Sequence, residues 1–410
     1  MKNFSSILEV NEVTKLFKIF NDHQKNCIFV VGGCIRDIFL EKKITDIDFA
    51  TSLEPDEIIE LLDSNNISFF DIGIDFGTVT AIINDKKFEI TTFRKDTEAD
   101  GRHAKVLYSK SIDEDVLRRD FTINAMYLGG NGDLFDPLEG QKDIEGRNVR
   151  FIGNPDKRIT EDYLRILRYF RFLALLDVSK PDEAIIEIIK SNKDGLSIVS
   201  KERQWDELRA ILNLPNPSIA ISLMSKIGLM DKYFNRTNIN DAFSNLLEIE
   251  SRIGINPNPI LRLSLLASNS LENANDFIKD LPLSKSDSVE LLKLCNINKK
   301  VVSYISMKEV RYLLYSLGRD EFQKQILIKW AVDTKNKNEV HWRSLYEVSQ
   351  SWTKPTFDIS ARDVTNMGIS QGPIVGEILK DVEDWWAEND FINDKFSLIE
   401  RLKAIVQSKK

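Results

Sequence analysis

The run Val30-Val31-Gly32-Gly33-Cys34-Ile35-Arg36-Asp37, closely followed by Thr45-Asp46-Ile47-Asp48-Phe49, decides how the first part of this chain is read. Residues Cys27 to Val31 are apolar, rich in Val and Ile, and too few for a helix, so they predict a strand. The strand runs into Gly32-Gly33 and a predicted helix over 34–41. Two glycines let a backbone approach a ligand closely. A helix N-terminus offers unsatisfied N–H groups that suit phosphate, and Arg36 could add a forked donor. A tight strand-to-helix turn explains the same residues equally well. Residues Asp46 to Ala50 predict a second strand, on which Asp46 and Asp48 point the same way. Two like charges that close are costly unless a cation neutralises them, and hard oxygen ligands favour magnesium. An exposed acidic strand face is the alternative for this pair alone.

The two features together are more specific than either. A Gly-Gly turn, a helix and then Asp-x-Asp is the arrangement of a nucleotidyltransferase. The turn would hold a triphosphate, and two carboxylates would hold two magnesium ions. One metal would activate the attacking hydroxyl and the other would neutralise the leaving pyrophosphate. Glu89, in Phe88-Glu89-Ile90-Thr91-Thr92-Phe93, is the candidate third carboxylate, pointing away from Phe88 and Ile90. An edge-strand carboxylate is its plain alternative.

Working outward, the first 140 residues read as mixed α/β. Helices are expected over 8–21 and 55–64, and strands over 67–72, 78–84 and 88–93. Residues 94–110 are polar, contain Gly101 and read as a loop; 122–128 is a strand or short helix, and a short strand closes at 133–135. From about 156 the period changes to 3.6 residues, with few strand signals, to the C-terminus. The fold class is therefore α+β: a small mixed head followed by helices.

One helix stands out: Glu161-Asp162-Tyr163-Leu164-Arg165-Ile166-Leu167-Arg168-Tyr169-Phe170-Arg171-Phe172. Thr160 is its expected N-cap. Asp162 and Arg165 would be helix neighbours at i, i+3, either as a surface salt bridge or as a recognition pair. An aspartate accepts from an exocyclic amine and an arginine donates to a ring nitrogen. Cytosine and adenine share that edge, whereas guanine and uracil present the reverse. Such a pair would accept C and A and leave polar groups unpaired with G and U. Arg118-Arg119-Asp120 precedes an apolar segment and reads as a phosphate contact or as a solvated charge pair.

The chain has 410 residues, enough for two or three domains. With 64 acidic against 56 basic residues its net charge is -8, which argues against a generally basic nucleic-acid binder. Local distribution can still matter. Segment 141–172 holds eight Lys or Arg against five Asp or Glu, an excess of three. Three scattered cysteines exclude a disulfide scaffold and fit a reducing compartment. Three histidines are too few for a histidine-rich metal centre. No stretch approaches the roughly 20 apolar residues of a membrane span, and the N-terminus lacks a signal-peptide core. A cytoplasmic protein with no membrane partner is expected.

The motifs together resemble the class II tRNA nucleotidyltransferases, the CCA-adding enzymes of the polymerase-β superfamily. The matching segments are 30–37, 45–51, 88–94, Asp-Gly-Arg-His-Ala at 100–104, Arg-Arg-Asp-Phe-Thr-Ile-Asn-Ala-Met at 118–126, and 161–172, in the family's order. Ser200-Lys201-Glu202-Arg203 with Trp205-Asp206-Glu207-Leu208 resembles a further neck motif. The resemblance implies a catalytic head (1–140), a base-recognising neck (141–215) and a tRNA-binding body and tail (216–410). It implies nucleotide-binding roles for Gly32, Gly33, Arg36, Arg119, Arg168 and Arg171. Asp46 and Asp48 match the metal ligands, Glu89 is carried as the third catalytic carboxylate, and Asp162 and Arg165 match the protein template. The 94–110 segment matches a flexible loop needed to switch from C to A addition. Mg2+ is the implied cofactor, and tRNA, CTP and ATP are the implied partners. A bacterial-type poly(A) polymerase shares the head motifs. A catalytically silent RNA-binding relative is the alternative of another class, against which the intact Asp46/Asp48 pair argues.

Overall fold

The computed structural model describes residues 4–96, 106–230, 241–268, 270–333, 338–391 and 394–409. Its chain forms two compact units, Met1–Lys232 and Tyr233–Lys410. The first contains the sheet. Its elements begin with α1 (Ser5–Leu8), α2 (Asn11–His23), β1 (Ile28–Val31), α3 (Gly33–Phe39), β2 (Asp48–Thr51) and α4 (Pro55–Ser64). There follow β3 (Ser68–Phe70), β4 (Thr78–Ile83), β5 (Lys86–Thr92), β6 (Arg94–Asp96), β7 (Val106–Tyr108), α5 (Ile112–Arg118), β8 (Tyr127–Leu128) and β9 (Leu134–Phe135). Then come α6 (Gly140–Glu145), α7 (Pro155–Glu161), α8 (Leu164–Leu175), α9 (Glu183–Asn192), α10 (Lys201–Leu212) and α11 (Ser218–Lys226).

Seven strands form one mixed sheet in the order β3-β4-β5-β2-β1-β8-β9. Only β2 and β5 run parallel, as a crossover through the α4 helix allows. Pro55 opens α4 with its φ already helical, and the Glu54 N–H donates to Glu57 Oε2 at 2.8 Å. Ile58 and Leu62, one turn apart, bury the inner face of α4. Asn84 and Asp85, both with positive φ, make the β4–β5 turn, a hairpin geometry that suits Asn and Asp.

Three boundaries differ from the sequence reading. The expected helix over 8–21 is two, because Val10 is extended and starts α2 afresh. The expected loop over 94–110 contains the paired strands β6 and β7 in its described part. Residues 97–105, with the 100–104 match, lie outside the described residues. The helix α5 was not expected at all.

After the sheet the unit is helical. Helical spacing predicts an apolar stripe of Tyr163, Ile166, Leu167, Phe170, Leu173 and Ala174; the last five are buried, Tyr163 is only half-buried, and Leu164, Tyr169 and Phe172 are buried as well. α10 and α11 both pack on α8. Phe121, Phe151 and Tyr169 stack beneath its start, with Phe151 and Tyr169 rings 8° from parallel at 5.7 Å.

The second unit is all-helical among its described residues. Near its start Arg262 and Glu250 form an ion pair that is 1% and 2% exposed. Burial pushes the Glu250 carboxyl up, and Arg262 partly offsets this. Near its end Trp386 packs against Tyr315, Phe357 and Phe391. No helix among the described residues is long and apolar enough to cross a membrane.

Gly195 is required by close packing in the first unit. A Cβ there would fall 2.0 Å from the Tyr163 ring at the start of α8. Gly195→Ala should therefore destabilise the protein by about 1–3 kcal/mol through overpacking, measured as a lower midpoint in thermal denaturation.

Candidate active site

The turn after β1 is built on Gly32, whose φ of +82° is disfavoured for L side chains. Turning there ends the β1 ladder, whose last pair is Val31 with Asp48. This explains why β2 begins at Asp48 and not at Asp46. Asp46 is in exposed coil, where Thr45 Oγ1 donates to its Oδ2 at 3.0 Å. The strand alternation expected for the pair thus does not set the direction of Asp46. It does hold for Glu89: Phe88 and Ile90 are buried and Glu89 is exposed. The register Phe49 to Ile90 brings Glu89 beside Asp48 on the adjoining strand.

The electrostatics tie the three carboxylates together. Asp48 has an exposed side chain, yet enough protein surrounds it for desolvation to push it up to about 6, followed by Glu89 and Asp46, while Arg119 pulls it down. Hard oxygen donors that repel one another are the donor set that a divalent cation relieves. Among the described residues no three His, Cys, Asp or Glu side chains close into a ready cage. Magnesium does not need one, since it binds through one or two carboxylates plus water and substrate phosphates.

The arginines are held more tightly than the sequence reading implied. Arg36 folds back over Gly33, where a Cβ would meet its Nη2 at 3.3 Å. Its Nη1 donates to Asn124 Oδ1 at 2.7 Å and its Nε and Nη2 to Asp37 Oδ1 at 3.0 and 2.8 Å. Arg36 is buried, not a freely reaching donor. Arg119 does not pair with Asp120. Its Nε and Nη2 donate to Asp115 Oδ2 at 3.3 and 3.0 Å, and Nε also to the Tyr127 hydroxyl at 2.7 Å. Its Nη1 lies 3.8 Å from where a Gly32 Cβ would stand. Asp120 instead takes Arg168 Nε at 2.6 Å and Asn124 Nδ2 at 3.2 Å.

The helix expected over 161–172 is interrupted at Asp162, which is extended at φ -153°. Thr160 is therefore not an N-cap. It lies inside α7, and Asn154 caps that helix by accepting from the Lys157 N–H. The break also removes the expected i, i+3 contact. Asp162 Oδ1 accepts from the Leu164 N–H at 3.1 Å, and Oδ2 from Arg203 Nη2 at 2.9 Å. Arg165 Nη1 donates to Glu161 Oε2 at 2.8 Å and to the Arg158 carbonyl at 2.6 Å. Asp162 and Arg165 remain joined through the backbone, Arg165 N–H to the Asp162 carbonyl at 3.0 Å.

Arg168 and Arg171 share Glu207 on α10, at 3.3 and 2.6 Å. With Arg36 they surround the Phe172 ring, at 5.6, 4.5 and 5.3 Å from its centroid. Burial lowers the Arg171 pKa, Arg168 and Arg36 lower it further, and Glu207 opposes them. Three cations gathered on one aromatic face attract anions.

Asp115, Tyr127, Glu161, Arg203 and Glu207 were not singled out from sequence as site residues. Asp115 stands three and four positions before Arg118 and Arg119, a helical spacing that reading 112–118 as a helix would have exposed. Arg203 and Glu207 lie in the segments that resemble a neck motif, but they meet their partners across more than 35 positions, so nothing local identifies those partners.

A catalytic head of the nucleotidyltransferase type, with a helical extension, is what this geometry describes. The family described as "Poly A polymerase head domain" matches residues 28–150. That described as "Probable RNA and SrmB- binding site of polymerase A" matches 180–238. The chain is 32% identical to the "CCA tRNA nucleotidyltransferase 1, mitochondrial" of Homo sapiens, over 96% of this chain and 89% of that protein. For the Mus musculus protein of the same name the identity is 31%, with the same coverage. The fold matches the Bacillus stearothermophilus CCA-adding enzyme, solved in complex with CTP, with a TM-score of 0.71 over 97% of this chain and 98% of that one, at 24% identity. The chain belongs to the CCA tRNA nucleotidyltransferases. Enzymes of this family use divalent metal catalysis.

The crowding at Asp48 has a measurable consequence. A carboxyl raised from 3.8 to about 6 by folding keeps its stability below the unfolded value and loses it as pH rises through about 6. In chelator-treated buffer Asp48→Asn should thus melt higher than the parent near pH 7.5, and equally near pH 3.5. The gain should stay well under about 3 kcal/mol, because Asp48 faces water and its repulsion is screened. Thermal scans across pH read both.

Proposed function

We propose that this protein is a template-independent nucleotidyltransferase that adds CCA to the 3′ end of tRNA from CTP and ATP, releasing pyrophosphate. The observation that carries the reading is Asp48 and Glu89 side by side across the β2–β5 register, with Asp46 near enough to raise the Asp48 pKa and Arg119 beside the Gly32 turn. Asp46 and Asp48 are the metal ligands, Mg2+ is the ion, and Glu89 is the third catalytic carboxylate. Divalent ions bound there supply triphosphate neutralisation and a more acidic attacking hydroxyl. The backbone at Gly32 and Gly33, with Arg119, receives the triphosphate. Arg36, Arg168 and Arg171 set the positive field around Phe172.

Asp162 and Arg165 read the base. Asp162 keeps acceptor capacity beyond its two bonds, and among the described residues Arg165 spends only Nη1 on protein partners. Its Nε and Nη2 hydrogens remain for a ring nitrogen. The head (1–140) performs the chemistry, the neck (141–215) selects the base, and the body and tail (216–410) bind tRNA. The hairpin of β6 and β7 roots the segment that serves the change from C to A. A cytoplasmic location fits three free, buried cysteines; fractionation decides between it and the mitochondrial location that the relatives' names state.

The test is incorporation into a tRNA lacking its 3′ CCA, with each NTP alone and then in mixture. Addition of C and then A is expected, whereas long A tails would mean a poly(A) polymerase and no addition a binding protein. Asp46→Ala or Asp48→Ala should abolish incorporation while tRNA binding persists. Asp162→Ala and Arg165→Ala should each lower the preference for CTP over UTP by roughly 10- to 100-fold. Unchanged discrimination in both would leave the pair structural.

A further inference from the structure

Asp115 is a fully buried carboxylate on α5, outside every motif used above. It accepts from five donors on four residues at once. Oδ1 accepts from Arg118 Nε at 2.7 Å and from the Arg94 backbone N–H at 3.4 Å. Oδ2 accepts from Arg119, as described, and from the Tyr127 hydroxyl at 2.5 Å. Burial opposes its charge, but Arg119 and Arg118 outweigh burial and hold it below the usual carboxylate range. Asp115 is therefore a permanent anion at the root of Arg119. Tyr127 completes the clamp: its hydroxyl accepts from Arg119 Nε, and its ring lies 5.0 Å from the guanidinium.

We infer that Asp115, directly and together with Tyr127, is the positioning residue that aims the Arg119 guanidinium at the Gly32 turn and Asp48. This rests on the proposed nucleotide-binding role of Arg119. Arg119 is on the C-cap of α5, at the edge of regular structure, and its long side chain has several rotamers of similar energy. Two acceptors, Asp115 and the Tyr127 hydroxyl, take its Nε and Nη2 and select one rotamer, in which Nη1 lies on the Gly32 side with a long bond, 3.5 Å, to the Asn124 carbonyl. The same carboxylate holds the first residue of β6, so the root of the β6–β7 hairpin and the arginine share one fixed point. Preorganising a donor in this way lowers the ordering cost of binding an anion.

The test compares KM and kcat for CTP and ATP in the full-length enzyme, with tRNA affinity and thermal melting as controls. Arg119→Ala should raise both KM values. Asp115→Asn should raise them by roughly 10- to 100-fold, the loss expected for hydrogen bonds to a charged group, with tRNA affinity unchanged. The double variant should be no worse than Arg119→Ala alone, because Asp115 acts through that side chain. Asp115→Glu should recover part of the affinity. Asp115→Asn leaves two buried arginines short of charge and can fail to fold; Tyr127→Phe then carries the test, since it keeps every charge and removes one Arg119 acceptor. A several-fold higher KM in Tyr127→Phe at unchanged melting supports the inference. An unchanged KM in Tyr127→Phe, or full additivity of Asp115→Asn with Arg119→Ala, overturns it. If Arg119→Ala itself leaves KM unchanged, the inference falls together with the nucleotide-binding role of Arg119, an outcome distinct from the other two.

Discussion

The site depends on arginines that are already paired with carboxylates before any anion arrives. Arg36 has Asp37, Arg119 has Asp115, Arg165 has Glu161, Arg168 has Asp120 and Glu207, and Arg171 has Glu207. An arginine sunk into a protein without such a partner would be an uncompensated buried charge, worth several kcal/mol of instability. The carboxylates permit the burial and also fix each fork in direction. A guanidinium has five N–H donors, so one pairing leaves others for a ligand. Rigid donors of this kind need no reorganisation when negative charge appears opposite them, which is how electrostatic stabilisation becomes large.

The acidic side of the site has the opposite character. Asp48 has no cationic partner within bonding distance among the described contacts, and its nearest carboxylates push it toward protonation. The Gly32 turn causes this arrangement. It stops β1 at Val31, so β2 emerges at Asp48 with its first residue at the open end of the ladder. The parallel partner β5 then presents Glu89 alongside. Backbone geometry, not side-chain attraction, forces the carboxylates together, and functional sites are where such unrelieved charge is expected.

Much of the head was legible because its signals are local. The apolar run before Gly32-Gly33, the Pro55 helix start and the alternation of Phe88-Glu89-Ile90 each report on structure within a few residues, and each element formed close to its expected span. The helix over 161–172 was read as one piece, with a buried face that is right at Ile166, Leu167 and Phe170 but misses Leu164, Tyr169 and Phe172. The apolar period continues across Asp162, yet Asp162 accepts from the Leu164 N–H and starts a new helix. An aspartate that competes for backbone donors in this way interrupts a helix without disturbing its hydrophobic pattern. The partners of the arginines were not legible for a different reason. Arg203 and Glu207 on α10 reach Asp162, Arg168 and Arg171 only after the chain has folded back, and nothing in the intervening residues encodes that meeting.

The same pairing resolves the conflict between a net charge of -8 and a polyanionic substrate. Counting residues treats each acid as cancelling one base wherever both lie. At three of the site's arginines the cancelling acid is the less exposed partner: Asp115 against Arg119, Asp120 and Glu207 against Arg168, and Glu207 against Arg171; at Arg36 and Arg165 the acids Asp37 and Glu161 are the more exposed. Around Phe172, burial lowers the Arg171 guanidinium pKa, Glu207 raises it, and Arg168 and Arg36 lower it again. A phosphate approaching Arg119, Arg168 or Arg171 meets a guanidinium more exposed than its carboxylate partner. Charge at these three positions is presented in a way that the sum over the chain does not record. Affinity for phosphate then follows from the order in which the charges are layered, which the net charge does not contain.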